Sequence, residues 1–309
     1  EAATTEAPAT EAAATEVQVA QPTSGAQIYA VDFSDVPGIR SLTTGHADDT
    51  LLAIALTSPV EEETQNVVLY RVRGNEKSEL RSFTIPGPVE KIGAISGDDD
   101  DIFFTAVDRT DENTQGRFVI YKIEEDSSEV HPMYEGVADG YNYGQNLVAD
   151  DDAVAFTENM TESDGYYFAD VCLLTNDAKQ IVNVEVFPAE YVSLLLDDDS
   201  LHYAAARNDQ LFIVDYDYED NETYEYAVEG DNAAFRLTDY DDNAYLLDNY
   251  NSHPDLQGAM MLIVNRDGIR AFSEEGRNVH SGIFADDQIS AVSTLANEVK
   301  WVKATRGAD

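Results

Sequence analysis

Six short acidic clusters recur along the chain, each running into an apolar segment: ADDTLLAIAL (47–56), DDDIFFTAV (99–107), DDDAVAFT (150–157), DDSLHYAA (198–205), DDNAYLL (241–247) and DDQISAV (286–292). One aspartate of each serves as a marker: Asp49, Asp100, Asp151, Asp199, Asp242 and Asp287. With the adjoining Asp98 and Asp197, the clusters together hold sixteen carboxylates. Hard divalent cations take oxygen ligands, and Ca²⁺ accepts roughly six to eight, so such clusters gathered on one rim have the chemistry of a calcium site. No EF-hand pattern D-x-[DN]-x-[DN]-G-x5-E accompanies them. Aspartate is also a preferred turn residue, because its carboxylate bonds to nearby backbone N–H groups. On that reading the repetition records duplication of one structural unit, with no metal involved.

A second set of residues stands nine positions before each marker: Arg40, Lys91, Asn142, Glu190, Ala233 and Asn278. Three positions later come Thr43, Ala94, Gln145, Ser193, Arg236 and Ser281, which are small or polar except for the arginine. If each repeat opens with a strand that lines a central channel, Arg40, Lys91, Asn142, Arg236 and His280 collect at the mouth opposite the aspartates. Such a mouth suits a small anionic ligand or an acidic loop of a partner protein. The competing use of these cations is pairing with the surplus carboxylates. A further acidic run, Asp215-Tyr-Asp-Tyr-Glu-Asp-Asn-Glu222, reads as a solvated hairpin, a cation site or a tyrosine-rich edge.

Signals for catalysis are weak. There is no G-x-S-x-G elbow, and the five histidines (His46, His131, His202, His253, His280) lack H-x-H or H-E-x-x-H spacing. Cys172 lies in the apolar run Val171–Leu174 and reads as an inert core residue. Two N-x-[ST] sequons, Asn159-Met-Thr161 and Asn221-Glu-Thr223, matter where the host glycosylates exported proteins.

The markers are spaced by 51, 51, 48, 43 and 45 residues, close to the roughly 40–50 residues of a four-stranded propeller blade. Each cluster follows a short small-residue apolar stretch. A β-branched and aromatic run comes later in each period: 67–72, 118–122, 169–174, 211–216, 260–264 and 299–302. A more polar fourth strand follows five times, at 80–83, 130–134, 180–186, 224–228 and 269–272, with Gly or Pro at the exit. The sixth period ends without one. The segment Gln27–Phe33 supplies it from the N-terminus, closing the ring and removing a sheet edge. The expected fold is all-β: a six-bladed β-propeller over 26–309, its ring closed by an N-terminal strand. Residues 1–25 are almost entirely Ala, Thr, Glu and Pro with no aromatic residue, and read as a disordered tether.

Of the 309 residues, 61 are acidic and 18 basic, a formal charge of −43. That charge repels phosphate backbones, which excludes nucleic acid as a partner, and it opposes adsorption to anionic lipid. No stretch approaches the roughly 18 apolar residues of a membrane span. The single cysteine excludes a disulfide framework. Aspartates (35) outnumber glutamates (26) and only six basic residues are lysine, a surface suited to high salt. The chain begins at Glu1 rather than Met and opens with stalk-like sequence, so an exported domain is expected, with room for a lipid anchor upstream.

The blades resemble those of TolB-like and related surface-lipoprotein propellers, which usually carry Asp-Gly where this chain has Asp-Asp. The resemblance covers residues 26–309 at the level of architecture and brings no catalytic residue with it. The expected function is an extracytoplasmic, non-enzymatic binding or scaffolding module at the cell surface, contacting a protein or a small anion. The alternatives are a glycoside hydrolase or polysaccharide lyase with a calcium-assisted funnel site, and a surface protein that assembles through bridging cations.

Overall fold

The computed structural model describes residues 18–19, 27–47, 50–97, 101–108, 116–124, 127, 129–138, 146–150, 153–163, 166–175, 179–186, 194–197, 200–207, 210–228, 235–241, 244–249, 261–265, 268–272, 280–285, 288–295 and 298–305, with side chains for most of those between 29 and 225. Among the described residues all regular structure is β, and no helix is long and apolar enough to cross a membrane. Strands β1 (Gln18–Val19) and β2 (Gln27–Asp32) precede a series of antiparallel meanders. The first contains β3 (Ser41–Ala47), β4 (Thr50–Leu56), β5 (Thr64–Arg73) and β6 (Glu76–Pro86). The second contains β7 (Lys91–Gly97), β8 (Asp101–Asp108), β9 (Gly116–Glu124) and β10 (Val130–Ala138). The third contains β11 (Leu147–Asp150), β12 (Ala153–Ser163), β13 (Tyr166–Leu174) and β14 (Lys179–Val186). The fourth contains β15 (Leu194–Asp197), β16 (Ser200–Arg207), β17 (Gln210–Asp217) and β18 (Glu222–Val228). The fifth contains β19 (Phe235–Asp241), β20 (Ala244–Asn249), β21 (Met261–Asn265) and β22 (Gly268–Phe272). The last three strands are β23 (His280–Ala285), β24 (Gln288–Leu295) and β25 (Glu298–Thr305).

Position within a meander sets composition. The second strand is covered on both faces, so β4 reads Thr-Leu-Leu-Ala-Ile-Ala-Leu and buries every residue after its first. The fourth strand lies outermost, and β6 alternates charged and polar residues with only Ile85 fully enclosed. Apolar side chains fill the gaps between successive sheets. Leu52, Ile54 and Leu69 meet Ile92, Phe104 and Tyr121; Phe118 meets Leu147, Phe156 and Cys172; Ala155 and Val171 meet Leu194, Leu201 and Tyr203. Full burial of one such Leu, Ile or Phe side chain stabilises by about 1.5–3 kcal/mol.

The N-terminal strand completes the last sheet. β2 pairs antiparallel with β25, from Gln27 opposite Lys303 to Asp32 opposite Glu298, giving the order β2-β25-β24-β23. The β5–β6 hairpin of the first meander then grips β2 from its other side. Asn75 Oδ1 accepts the Ala30 N–H at 3.0 Å, and Lys77 Nζ donates to the Asp32 carbonyl and the Asp35 carboxylate, each at 2.6 Å. Phe33 is buried edge-on against Tyr70, with ring centroids 5.3 Å apart. The closing strand is thus held by the first and last sheets together.

Two features differ from the sequence expectation. The spacing predicts six separate sheets, whereas the first two meanders form one eight-stranded sheet through a parallel bridge from Ala47 of β3 to Gly97 of β7. Glycine permits that approach: a Cβ on Gly45 would lie 1.9 Å from the Ile95 carbonyl oxygen. The second difference lies in the expected tether, where Gln18 and Val19 pair in parallel with Arg270 and Ala271 of β22 as a fifth strand. The remaining tether residues lie outside the described set.

Candidate functional site

The six marker aspartates, Asp49, Asp100, Asp151, Asp199, Asp242 and Asp287, lie outside the described residues. The strands around them are described and occupy equivalent places. Ala47 pairs with Thr50, Gly97 with Ile102, Asp150 with Ala153, Asp197 with Ser200, Asp241 with Ala244 and Ala285 with Gln288. Each marker therefore falls between the first and second strands of its meander. Asp101, at the end of the second cluster, is ion-paired with Lys122 at 2.5 Å, and that ammonium also lies over the Phe103 ring. Among the described residues no group of three or more His, Cys, Asp or Glu side chains is placed to hold a metal ion.

At the opposite end, Arg40 precedes β3 and its guanidinium is partly buried. Nε donates to the Ser58 carbonyl at 2.9 Å, Nη2 to Gln65 Oε1 at 3.1 Å and to the Val89 carbonyl, and Nη1 to the Glu90 carbonyl. Burial depresses the guanidinium pKa, with Glu90 and Glu61 opposing. Gln65 is itself fully enclosed and turns its amide nitrogen to the Pro59 and Glu62 carbonyls at 2.8 Å each. Arg40 thereby ties the start of β3 to the segment that delivers Lys91 to the start of β7. Arg40 and Lys91 are brought together, and the arginine spends most of its donors on backbone.

Lower on the same strands, hydroxyls join one first strand to the next. Thr43 Oγ1 donates to the Ile92 carbonyl at 2.9 Å, Ser41 Oγ accepts the Ile92 N–H at 3.2 Å, and Ser96 Oγ accepts the Ala149 N–H at 3.2 Å. Of the residues read from sequence as channel lining, Thr43 thus connects one first strand to the next. His46 also stands on β3, and burial pushes its imidazole pKa down to about 4. Of the other residues expected here, Arg236 lies in β19 opposite Asp248 and His280 opens β23 opposite Val292. Asn142 lies outside the described residues.

Sequence spacing does not single out a second polar cluster, built where the second and third meanders meet. Glu158 on β12 is 8% exposed. Its Oε1 accepts the Tyr134 hydroxyl from β10, and its Oε2 accepts Lys179 Nζ from β14 at 2.9 Å and the Cys172 thiol from β13 at 3.6 Å. Lys179 also donates to the Tyr134 hydroxyl at 2.6 Å and lies 4.4 Å from that ring's centroid. Burial works against the Lys179 ammonium, but its bonds to Tyr134 and Glu158 outweigh burial and raise its pKa. Burial, reinforced by the Glu158 charge, pushes the Cys172 thiol up to about 12, so it stays protonated as expected of a core residue. Gly136 keeps the space open, since a Cβ there would lie 2.6 Å from Glu158 Oε1 and 2.5 Å from the Phe118 ring. The available signal was a glutamate just after the apolar run Ala153–Phe156, with a rare lysine two strands away.

The acidic run 215–222 forms the tip of the β17–β18 hairpin. Asp215 faces His202 across the ladder at 3.7 Å, and Asp217 Oδ1 accepts the Asp220 N–H at 2.8 Å. Burial lowers the His202 pKa while Asp215 opposes it.

No family model matches the chain, and no curated protein matches it. Solved structures share its fold at low sequence identity. Acylaminoacyl peptidase from Pyrococcus horikoshii aligns with a TM-score of 0.50 and 10% identity over 84% of this chain and 44% of that one. The β-propeller domain of the trilobed protease from Pyrococcus furiosus aligns at 0.49 and 9%, covering 84% and 79%. TolB from Acinetobacter baumannii aligns at 0.49 and 11%, covering 82% and 63%. The chain therefore spans less than half the length of the peptidase, and the likeness is one of fold alone: all-β, among structures that include β-propellers.

Proposed function

We propose that this chain is an extracytoplasmic, non-enzymatic binding or scaffolding module: a six-bladed β-propeller over 26–309 carried on the stalk formed by residues 1–25. The observation that carries this reading is the polarity of the first strands. They run into acidic stretches of sequence at one end, and at the other stand Arg40, fixed by partly buried hydrogen bonds, and Lys91 at the start of β7. The order of strands along the chain supports the blade count: there are five four-stranded meanders, the first two joined in one eight-stranded sheet and the fifth extended by β1, and a last set of three strands that β2 completes. The first strands also neighbour one another in the cyclic order β3, β7, β11, β15, β19 and β23, with β24 returning to β3.

On this account Lys91, Asn142, Arg236 and His280 form the ligand mouth, with Arg40 bracing its wall, and the ligand is a small anion or an acidic loop of a partner protein. The six marker aspartates line the other rim, where calcium would bind. The test uses the full chain from its native source. Protease treatment of intact cells should release the ring by cutting within 1–25. Sulfate stabilises folded proteins in general by exclusion from their surface. The informative quantity is therefore the excess rise in unfolding temperature in sodium sulfate over sodium chloride of matched ionic strength, which should be larger for the wild type than for Lys91→Ala. A chain protected inside the cell, or the same excess in both proteins, contradicts the proposal; turnover of an oligosaccharide would replace it with the enzyme reading.

A further inference from the structure

Seventeen asparagines occur in the chain, and two of them, Asn159 and Asn221, begin N-x-Thr sequons. These same two are the only non-glycine residues with a left-handed backbone among the described residues, at φ 49° and 56°. The coincidence joins two independent observations, one of sequence and one of conformation. Left-handed geometry favours Gly and tolerates Asn and Asp, so a turn alone accounts for Asn but not for Thr two positions later.

The two sites are built differently and present the same motif. In β12 the ladder to β13 runs to Glu158 opposite Asp170 and resumes at Thr161 opposite Phe168. Asn159 and Met160 therefore bulge out opposite the single residue Ala169. Glu158 is drawn inward by Tyr134 and Lys179, and the next residue is turned out to solvent. Asn159 and Thr161 are both exposed. At the second site Asn221 closes the turn after β17 and Glu222 begins β18 opposite Asp217, with Asn221, Glu222 and Thr223 exposed. The Asn221 side-chain oxygen lies 3.1 Å from the Tyr216 hydroxyl, which has a closer acceptor in Gln180 Oε1 at 2.7 Å. The Asn159 amide donates to the Asp170 carboxylate at 3.0 Å, a contact between exposed groups that water readily replaces.

We propose that Asn159 and Asn221 are acceptors for N-linked glycan, with a lipid-diphosphate-linked oligosaccharide as donor. Nδ2 attacks the anomeric carbon of the donor; the N–C1 bond forms as the C1–O bond breaks, and the lipid diphosphate leaves with the electron pair. The proton lost from Nδ2 passes to a carboxylate base of the transferase. A glycan at these positions projects from an outward bulge and a hairpin tip and adds a solvated, uncharged cover to a strongly acidic surface. The inference rests on the extracytoplasmic reading, because the donor is used on exported chains.

The experiment is glycopeptide mass spectrometry on chain purified from its native source, with surface exposure measured on the same cells by protease treatment. Peptides containing Asn159 and Asn221 should carry the same oligosaccharide, and the intact mass should exceed that of the polypeptide by two glycans. Thr161→Ala should remove the Asn159 glycan and Thr161→Ser retain it, with Thr223 behaving likewise for Asn221. Fully unmodified peptides from surface-exposed chain overturn the inference while leaving the functional reading standing. Unmodified peptides from a chain confined to the cytoplasm overturn both, and glycosylated peptides from a protected chain uphold the inference against that reading.

Discussion

His46 offers a sharp test of how the first strands pack, because it is half-buried beside them with its imidazole pKa pushed from 6.5 to about 4 by burial. The native state binds that proton more weakly than the unfolded chain does. The contribution of neutral His46 is therefore fully present above pH 6.5 and is lost as pH falls toward 4. At about 1.4 kcal/mol per pH unit, the interval sets a ceiling of about 3 kcal/mol. Partial exposure of the residue reduces this to about 2 kcal/mol. For a chain of this size that corresponds to a fall in Tm of about 4 °C. Carboxylates and His202 also titrate in this range, so the informative quantity is the difference between wild type and His46→Gln. Urea unfolding of both proteins at pH 7.5, 6.5, 5.5 and 4.5, at constant ionic strength, measures it. The wild type should lose about 2 kcal/mol more than the variant across that range, with most of the gap opening below pH 6. Identical pH profiles would show that His46 is solvated and the wall beside β3 is open.

Arg40→Ala removes donors from three carbonyls and Gln65, and should cost about 3 kcal/mol by urea unfolding; Arg40→Lys should recover little of it, because an ammonium cannot span the same acceptors. Gly45→Ala places a Cβ on the Ile95 carbonyl oxygen and should destabilise by about 3 kcal/mol or more, with the largest gain in amide exchange across the β3–β7 junction. Glu158→Ala strands Lys179 and Tyr134 at a sheet interface and should cost about 3 kcal/mol, whereas Glu158→Gln should cost less by keeping an acceptor for one of the two. A cost for Glu158→Ala below about 0.5 kcal/mol would show that the cluster is solvated.

The sequence made the β content and the repeat legible because both are local. Alternating or continuous apolar runs declare strands, and an Asp-rich turn marks the same point in every period. The displaced N-terminal strand could also be read, since the sixth period lacks a fourth strand and Gln27–Phe33 has the matching pattern. What escaped depends on distances between sheets. The joining of the first two meanders turns on the missing Cβ of Gly45, which sequence presents as one glycine among eighteen. Arg40 was legible as a cation at a strand start, but its partners come from three separate segments, so its bracing role is a tertiary fact. Glu158 shows the converse: in sequence it is one of several polar residues in the second half of β12, and only the meeting of β10, β12, β13 and β14 supplies the partners that let its carboxylate sit inside. Gln18 and Val19 carry no composition to distinguish them from the rest of the tether, and the open edge of β22 selects them.

Closure of the ring by β2 is the claim on which the rest depends. The Ala30 N–H points to Asn75, away from β25, so Ala30 and Lys300 form a pair without ladder hydrogen bonds, the closer type at about 4.5 Å between Cα atoms. Cysteines at these two positions suit a disulfide, while the native Cys172 is buried and stays reduced. Oxidation of Ala30→Cys/Lys300→Cys should give a monomeric cross-link between residues 30 and 300 in nearly every molecule, and raise stability by up to about 5 kcal/mol. Free thiols after oxidation, or cross-links only between molecules, would contradict the closed ring.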